Sequence, residues 1–506
     1  MHRPPWSRAG HGSILCRSSG SHWAVPPRRS LSTIPAIRLC YLIAYANSKR
    51  RAGVTLTLHL EQALLPEGFA DDVALTVVDG TIAAVAIGVP QAESVVRLDG
   101  LSLPGMPNLH SHAFQRGMAG LGERRGATED SFWTWREVMY RFLDRLYPDD
   151  VQAIAAQAFV EMLEGGFTAL AEFHYLHHDK DGRPYADIAA MAGAIAAAAE
   201  ETGLGLTLLP VLYRYGNFGE APPVHGQRRF VNDPDSYQRL IEASETAIAH
   251  LPDARLGLAP HSLRAVGKAD LTWLTALCPN GPFHIHVAEQ TREVEDSLKI
   301  TGRRPVELLM DTVALDERWC LIHATHLSDG ERDAIARSGA VAGLCPITES
   351  SLGDGIFDGV RYRAAGGRFG VGSDSNIQID AGAELRQLEY SQRLRDRRRS
   401  LLAEPEASTG HALWRNACTG GAQACGRAIG QIKVGARADL VTLDLDHPAL
   451  AGKAGEAALD SAIFAANALP LRHVLVGGRR VVEDGRHVVR GAVAKRFGAT
   501  MRRLLA

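Results

Sequence analysis

Two regimes of polar and apolar residues follow one another along the chain. Between residues 54 and 103 the alternation is short: Thr55–Leu60, Val73–Val78, Thr81–Ala86 after the Asp79-Gly80 turn, and Ser94–Leu98 running into Asp99-Gly100. A period of two marks strands with one buried face. These strands are too few for a sandwich of their own and need partners from elsewhere. From Leu103 the pattern changes to short apolar runs separated by longer helical stretches. The runs centre on Gly105–Leu109, Thr168–Phe173, Leu204–Leu212, Arg255–Pro260, Phe283–Val287, Cys320–Ala324, Ala340–Leu344 and Phe369–Gly372. Helix signals lie between them. Pro148-Asp-Asp150 opens one helix and Gly165-Gly166 closes it; alanine-rich Ala186–Thr202 ends at Gly203; Ser328-Asp-Gly-Glu331 is a capping box. Eight βα units over about 320 residues predict an α/β fold, a TIM (β/α)8 barrel with insertions. A doubly wound open sheet would place a glycine-rich phosphate loop after its first strand, and none is present. Gly430–Asp444 and Leu471–Glu483 return to the strand pattern. They can pair with residues 54–103, giving one small β domain built from both ends of the chain. The expected divisions are 54–103, 104–427 for the barrel, and 428–506 with a C-terminal tail.

Composition narrows the partners. The chain has 506 residues, 46% hydrophobic and 22% charged, enough for a large core. A net charge of −2 gives no field for nucleic acid or an acidic membrane surface. The Arg393–Arg399 run therefore reads as a solvated helix face. The seven cysteines are scattered and form no C-x-x-C pair, against a disulfide framework or a zinc knuckle. That usage fits a reducing cytoplasm. No apolar run reaches the roughly 18 residues of a membrane span. Residues 1–53 stand apart. No acid occurs before Glu61, while Arg3, Arg8, Arg17, Arg28, Arg29, Arg38, Lys49, Arg50 and Arg51 are basic. The segment resembles a transit peptide, or translated sequence upstream of a start at Val54. The second reading is preferred, and the extension is expected to be disordered or no part of the fold.

Candidate chemistry gathers at the ends of the barrel strands. His110 and His112 lie two residues apart at the end of the first run, on one face. His286 ends the fifth run, His323 the sixth, and Asp374 follows the eighth. In a TIM barrel that end carries the active site. Three imidazoles and one carboxylate suit one Zn2+ per chain, with iron or another divalent metal possible. A metal there can bring the pKa of water to about 7. Glu289, three residues past His286, can shuttle a proton from water to a leaving group. His323 can hydrogen-bond the attacking water or an oxyanion. His284 lies deeper on its strand and reads as support or core, and Cys345 as a core cysteine.

H-x-H on strand 1, H-x-x-E on strand 5, histidine on strand 6 and S-D-S on strand 8 resemble the amidohydrolase superfamily, within it the mononuclear deaminase branch. The resemblance implies a distorted TIM barrel flanked by a small β domain. No lysine stands in the third and fourth runs, unlike the lysine-bridged dinuclear branch. Over about residues 54–506 the chain is similar to the formimidoylglutamate deiminase family of histidine degradation. The similarity lies in Pro107–Arg116, Phe132-Trp-Thr-Trp-Arg136, Glu172-Phe-His-Tyr175, Ala259-Pro-His-Ser-Leu-Arg264 and Pro346–Gly355. By that resemblance His110, His112, His286 and Asp374 bind zinc; Glu289, His323 and Asp374 serve catalysis; Gln115, Arg136, Tyr175, His261 and Arg264 hold substrate. The implied reaction converts N-formimino-L-glutamate to N-formyl-L-glutamate and ammonia. Its substrate carries two carboxylates, which guanidinium forks match in two-point geometry. Arg264 is expected in a loop over the mouth, and Arg136 in an aromatic-rich insertion that acts as a lid. A nucleobase-type deaminase of the same branch is the alternative. It would want stacking and base-edge contacts in place of two arginines. A non-catalytic scaffold would have lost a ligand or Glu289, and neither is lost. A homodimer acting on a small molecule, without nucleic acid or membrane, is the expected state.

Overall fold

The computed structural model describes residues 55–90, 95–126, 130–278 and 280–506. The expectations for residues 1–53, Val54 and Ser94 fall outside them. The first strands are β1 (Thr55–Leu65), β2 (Gly68–Val78), β3 (Thr81–Ile87) and β4 (Val96–Pro104). Alternate residues Leu58, Leu60, Val73, Leu75 and Val77 are buried in a separate small core with Leu98, Leu440 and Leu475. Both β1 and β4 outrun the alternation that announces them. The Asp99-Gly100 pair, into which the Ser94–Leu98 run leads, lies inside β4 as a bulge opposite Glu61. Gly100 has φ +113°, and a Cβ there would come within 2.1 Å of the Leu443 carbonyl oxygen. Its N–H donates to Glu61 Oε2 at 2.8 Å. Glycine is thus required by close backbone approach, and the strand continues.

The barrel follows: β5 (Met106–Ser111), β6 (Phe167–His174), β7 (Gly205–Leu212), β8 (Arg255–Leu256), β9 (Ala259–Pro260), β10 (Phe283–Val287), β11 (Trp319–His323), β12 (Val341–Leu344) and β13 (Arg368–Val371). All pair in parallel in two arcs, β5-β6-β7-β8 with β9 also on β7, and β10-β11-β12-β13. Single bridges close the ring: Ser111 with Asp374, Leu258 with Phe283, and Ser262 with His286. The eight runs therefore become a distorted barrel. The fourth run is split into β8 and β9 around Gly257, whose absent side chain admits Leu209 and Pro282.

The last strands are β14 (Leu440–Leu443), β15 (Leu471–Val476), β16 (Arg479–Glu483) and β17 (Arg486–His487). They join the first four in one sheet, ordered β17-β16-β15-β14-β4-β1-β2-β3, with Val441 opposite Leu103. Both ends of the chain thus build the small β domain.

The helix signals hold locally. Asp150 accepts from the Tyr147 N–H at 3.0 Å at the start of Pro148–Glu164. Ser328 and Glu331 cap each other. The alanine-rich helix starts later than expected, at Ala190, and ends at left-handed Gly203. In the arginine-rich run, Arg393 pairs with Glu389 at 2.8 Å and Arg395 with Asp358 at 3.0 Å. The C-terminal tail is a helix, Arg490–Leu505. Its Val493, Phe497, Met501 and Leu504 pack on the large core, and Arg503 and Arg490 pair with Asp150 and Glu164. No helix among the described residues is long and apolar enough to cross a membrane.

Candidate metal centre and substrate pocket

His110 and His112 leave the end of β5 facing the barrel axis, where β10 supplies His286. Nε2 of His110 lies 3.1 Å from Nε2 of His286. Asp374 Oδ1 lies 3.6 Å from His110 Nε2 and 3.4 Å from His112 Nε2. The outward nitrogens are engaged elsewhere: His112 Nδ1 with the Phe173 carbonyl at 2.9 Å, His286 Nδ1 with the His261 carbonyl at 3.1 Å. Donation to a carbonyl places the proton on Nδ1 and leaves the Nε2 lone pair facing the centre. Burial pushes the His110 pKa down to about 3 against the pull of Asp374, and lowers those of His112 and His286. Neutral rings with inward lone pairs, beside a carboxylate, are the donor set a divalent cation takes. His110, His112 and His286 can hold a metal ion together. Burial would raise the Asp374 pKa, but His110, His112 and His323 outweigh it and hold it below the usual carboxylate range.

A buried polar network fixes Asp374 against strand 1. Asn376 Nδ2 donates to Ser111 Oγ at 3.0 Å and to the His112 carbonyl at 3.2 Å. Asn108 Nδ2 donates to Ser373 Oγ at 2.7 Å, and Ser373 Oγ donates to Asn376 Oδ1 at 2.7 Å. Glu172 accepts from the Ala113 N–H at 2.7 Å, bracing the turn after His112. Burial pushes its carboxyl pKa up to about 8. Ala288, His323, Ala324, Asp374 and Asn376 all have positive φ. Left-handed non-glycine residues cost about 1–3 kcal/mol each, and here they cluster where three strands deliver site residues.

Glu289 follows Ala288. Both N–H groups donate to the buried Glu293 carboxylate, at 3.1 Å and 3.2 Å. Arg264 Nη2 donates to Glu289 Oε2 at 3.3 Å and lies 3.9 Å from Glu293. His323 Nε2 lies 3.7 Å from both Glu289 Oε1 and Asp374 Oδ2, while Nδ1 contacts Glu349 Oε1 at 3.2 Å. Burial works against a charged His323, but Glu289, Glu349 and Asp374 prevail and push its pKa up to about 10. For Glu289 burial dominates and raises the pKa, with His323 and Arg264 opposing. Glu349 and Glu293 were not singled out from the sequence. Glu349 sits inside the Pro346–Gly355 stretch, which was a signal; Glu293 had none beyond its spacing of four from Glu289.

A pocket opens over this cluster, lined by Gln115, Arg136, Tyr175, His261 and Arg264 together with His112, His286, Glu289, His323 and Asp374. His110 alone of the expected site residues does not line it. The insertion bearing Arg136 is a helix, Phe132–Leu143, that forms one wall. Gln115 Nε2 donates to Tyr175 Oη at 2.8 Å, and Tyr175 Oη contacts Met139 Sδ at 3.1 Å. The Arg136 guanidinium lies 4.6 Å from the Trp133 ring centre. Among the described residues, Nε of Arg136, Nε of Arg264 and Oε1 of Gln115 are buried without a hydrogen-bond partner. Trp133 of the aromatic-rich insertion lines the pocket, as do Tyr213, Phe230 and Arg292, which were not foreseen. Their positions depend on tertiary contacts. His284, as expected, is core, donating to the Ala424 carbonyl at 2.8 Å, and Cys345 is fully buried.

Barrel, mouth and donor set together are those of a metal-dependent hydrolase. The chain belongs to the amidohydrolase family, whose model matches residues 101–481, and within it to the formimidoylglutamate deiminases. A second model, formimidoylglutamate deiminase HutF, N-terminal domain, matches residues 55–93. The chain is 49% identical over 448 residues to the formimidoylglutamate deiminase of Pseudomonas aeruginosa, covering 88% of this chain and 98% of the relative. Among solved structures, an amidohydrolase from Brucella melitensis is 50% identical, with a TM-score of 0.86 over 89% of this chain and 100% of that one. An adenosine deaminase from Xanthomonas campestris with bound zinc superposes with a TM-score of 0.73, over 89% of this chain and 98% of that one. At 22% identity that likeness bears on the fold alone.

Proposed function

We propose that this chain hydrolyses the formimino carbon–nitrogen bond of N-formimino-L-glutamate, giving N-formyl-L-glutamate and ammonia in histidine degradation. The observation that carries the reading is Arg264, a buried cation that lines the pocket, contacts Glu289 and keeps a buried Nε without a partner. With Arg136 it offers two guanidinium groups to a substrate with two carboxylates. His110, His112, His286 and Asp374 would hold one zinc ion, and their mixed nitrogen and oxygen set also accommodates iron or another divalent metal. A divalent cation there supplies Lewis acidity that brings the pKa of water to about 7. Glu289 takes a proton from the attacking water and passes it to the imino nitrogen; it then moves the remaining hydroxyl proton of the tetrahedral adduct to the same nitrogen, so that the carbon–nitrogen bond breaks, the formyl C=O forms and the nitrogen leaves as ammonia. His323, backed by Glu349, donates a hydrogen bond to the attacking oxygen and keeps it aimed at the formimino carbon. Asp374 accepts from the same water. Gln115, Tyr175 and His261 orient the substrate, and the Phe132–Leu143 wall excludes bulk water. The proposal extends to three working units (54–103, 104–427 and 428–506), and to a homodimer in the cytoplasm acting on this small molecule without nucleic acid or membrane. Near-neutral charge supports the last two exclusions. Release of ammonia from N-formimino-L-glutamate, set beside aminopurines, tests the reading. Turnover of the purines alone would replace it with the nucleobase-type alternative, for which the aromatic walls Trp133, Tyr213 and Phe230 provide stacking surfaces. Light scattering tests the dimer.

A further inference from the structure

Three guanidinium groups surround one indole. Arg136 lies 4.6 Å, Arg292 4.8 Å and Arg264 6.0 Å from the centre of the Trp133 ring. All four residues line the pocket. Their charges are not equally available. Arg264 is buried, and its Nη2 serves Glu289 and Glu293. Arg136 meets no carboxylate at ion-pair distance among the described residues. Arg292 has Asp296, one helical turn on, at 3.8 Å, with its own side chain 61% exposed. An exposed pair at that separation is weak and is readily exchanged for a better partner. A substrate whose inner carboxylate is met by Arg264 and Arg136 therefore finds in Arg292 a further cation, weakly paired, free to answer the outer one. Position agrees. Arg264 touches Glu289, next to the chemistry. Arg292 stands three residues beyond Glu289 in the chain, near the start of the Thr291–Thr301 helix, and is far more exposed than Arg264. In a formimino-glutamate the α-carboxylate sits on the carbon bearing the reacting group, and the second carboxylate extends two methylenes outward.

We propose that Arg292 is a specificity-determining residue that binds this outer carboxylate, with Trp133 holding its guanidinium in place by cation–π contact. The proposal rests on the deiminase reading. It makes the pocket selective for acidic over neutral side chains on the same formimino amino-acid skeleton. Planar guanidinium, and not charge alone, is what both the indole and the carboxylate engage.

Steady-state kinetics of the full chain on N-formimino-L-glutamate and N-formimino-L-glutamine test this. The wild type should prefer the acid. Arg292→Met, at an exposed position that leaves the core intact, should lose about tenfold or more in kcat/KM on the acid, chiefly through KM, and less than about twofold on the amide. Arg292→Lys should recover only part of the loss. An equal loss on both substrates, or none on the acid, overturns the assignment. A wild type inactive on both formimino substrates defeats the deiminase reading itself, and this proposal with it.

Discussion

His323 and Glu349 are bound to each other at the barrel mouth: Nδ1 of the imidazole contacts Oε1 of the carboxylate at 3.2 Å, and the same oxygen accepts the Cys345 N–H at 2.8 Å. The contact directs Nε2 of His323 toward Glu289 and Asp374. One carboxylate thus orients a ring whose other side faces the reacting groups.

Glu349→Gln keeps an oxygen for both contacts but removes the charge. Because Glu349 helps hold the His323 pKa up, the change should lower it. The alkaline limb of kcat/KM should move to lower pH, and kcat should fall by about tenfold or more. An unchanged pH profile would show that the carboxylate has no electrical role.

Glu289→Gln retains size and hydrogen bonding but cannot carry a proton. We expect kcat to fall by about 10²–10⁴, with substrate affinity and metal content kept. Elemental analysis and calorimetric titration of the variant check both halves.

Arg264→Ala, read from the sequence, should mainly weaken substrate binding, with some loss of kcat where the substrate is misplaced. The contact with Glu289 changes that expectation. Loss of a charge-assisted contact to substrate should raise KM by an amount equivalent to about 1.5–3 kcal/mol. Arg264 also holds the Glu289 pKa down, so its removal should shift the acid limb of kcat/KM to higher pH. Observing the KM change without the shift would separate Arg264 from the proton shuttle.

Metal content should be one divalent ion per chain; stripping it should abolish turnover, and zinc should restore it. The stripped protein should also lose stability in acid. His110 is held at about 3 when folded and returns to about 6.5 when unfolded. Between these values the unfolded state binds more protons, so stability rises with pH. The full effect is present above about pH 6.5 and is lost as pH falls toward 3. Melting temperatures from pH 7 to 4 should fall, and less steeply for His110→Gln.

Much of the site was legible because strand periodicity is strict. His110 and His112 must share a face once Gly105–Leu109 is a strand, and His286 and Asp374 end runs of the same kind. Capping at Ser328 and Pro148 is likewise local chemistry. What escaped was set by contacts distant in sequence. Nothing near Gly100 announces that the Leu443 carbonyl crowds it, so the strand could be followed only to Leu98. Glu293 and Glu349 are ordinary helix acids until folding buries them beside Glu289 and His323. Arg292 gains meaning only when Trp133, over 150 positions away, comes to lie beneath it. The C-terminal helix is a different case, since the spacing of Val493, Phe497, Met501 and Leu504 was there to be read.

The bonds from Asn376 to Ser111 and His112 span 265 and 264 positions, and β4 waits longer still for β14, with Ser102 and Thr442 340 positions apart. During synthesis on the ribosome, the first histidine pair therefore emerges hundreds of residues before its carboxylate. The small sheet stays open at β4 until residue 440 has been made. It follows that ion capture and sheet completion are both late events, reached only when nearly the whole polypeptide has been released. Truncated translation products carry half a binding centre and an unpaired strand edge, the state in which chains of this size are prone to aggregate.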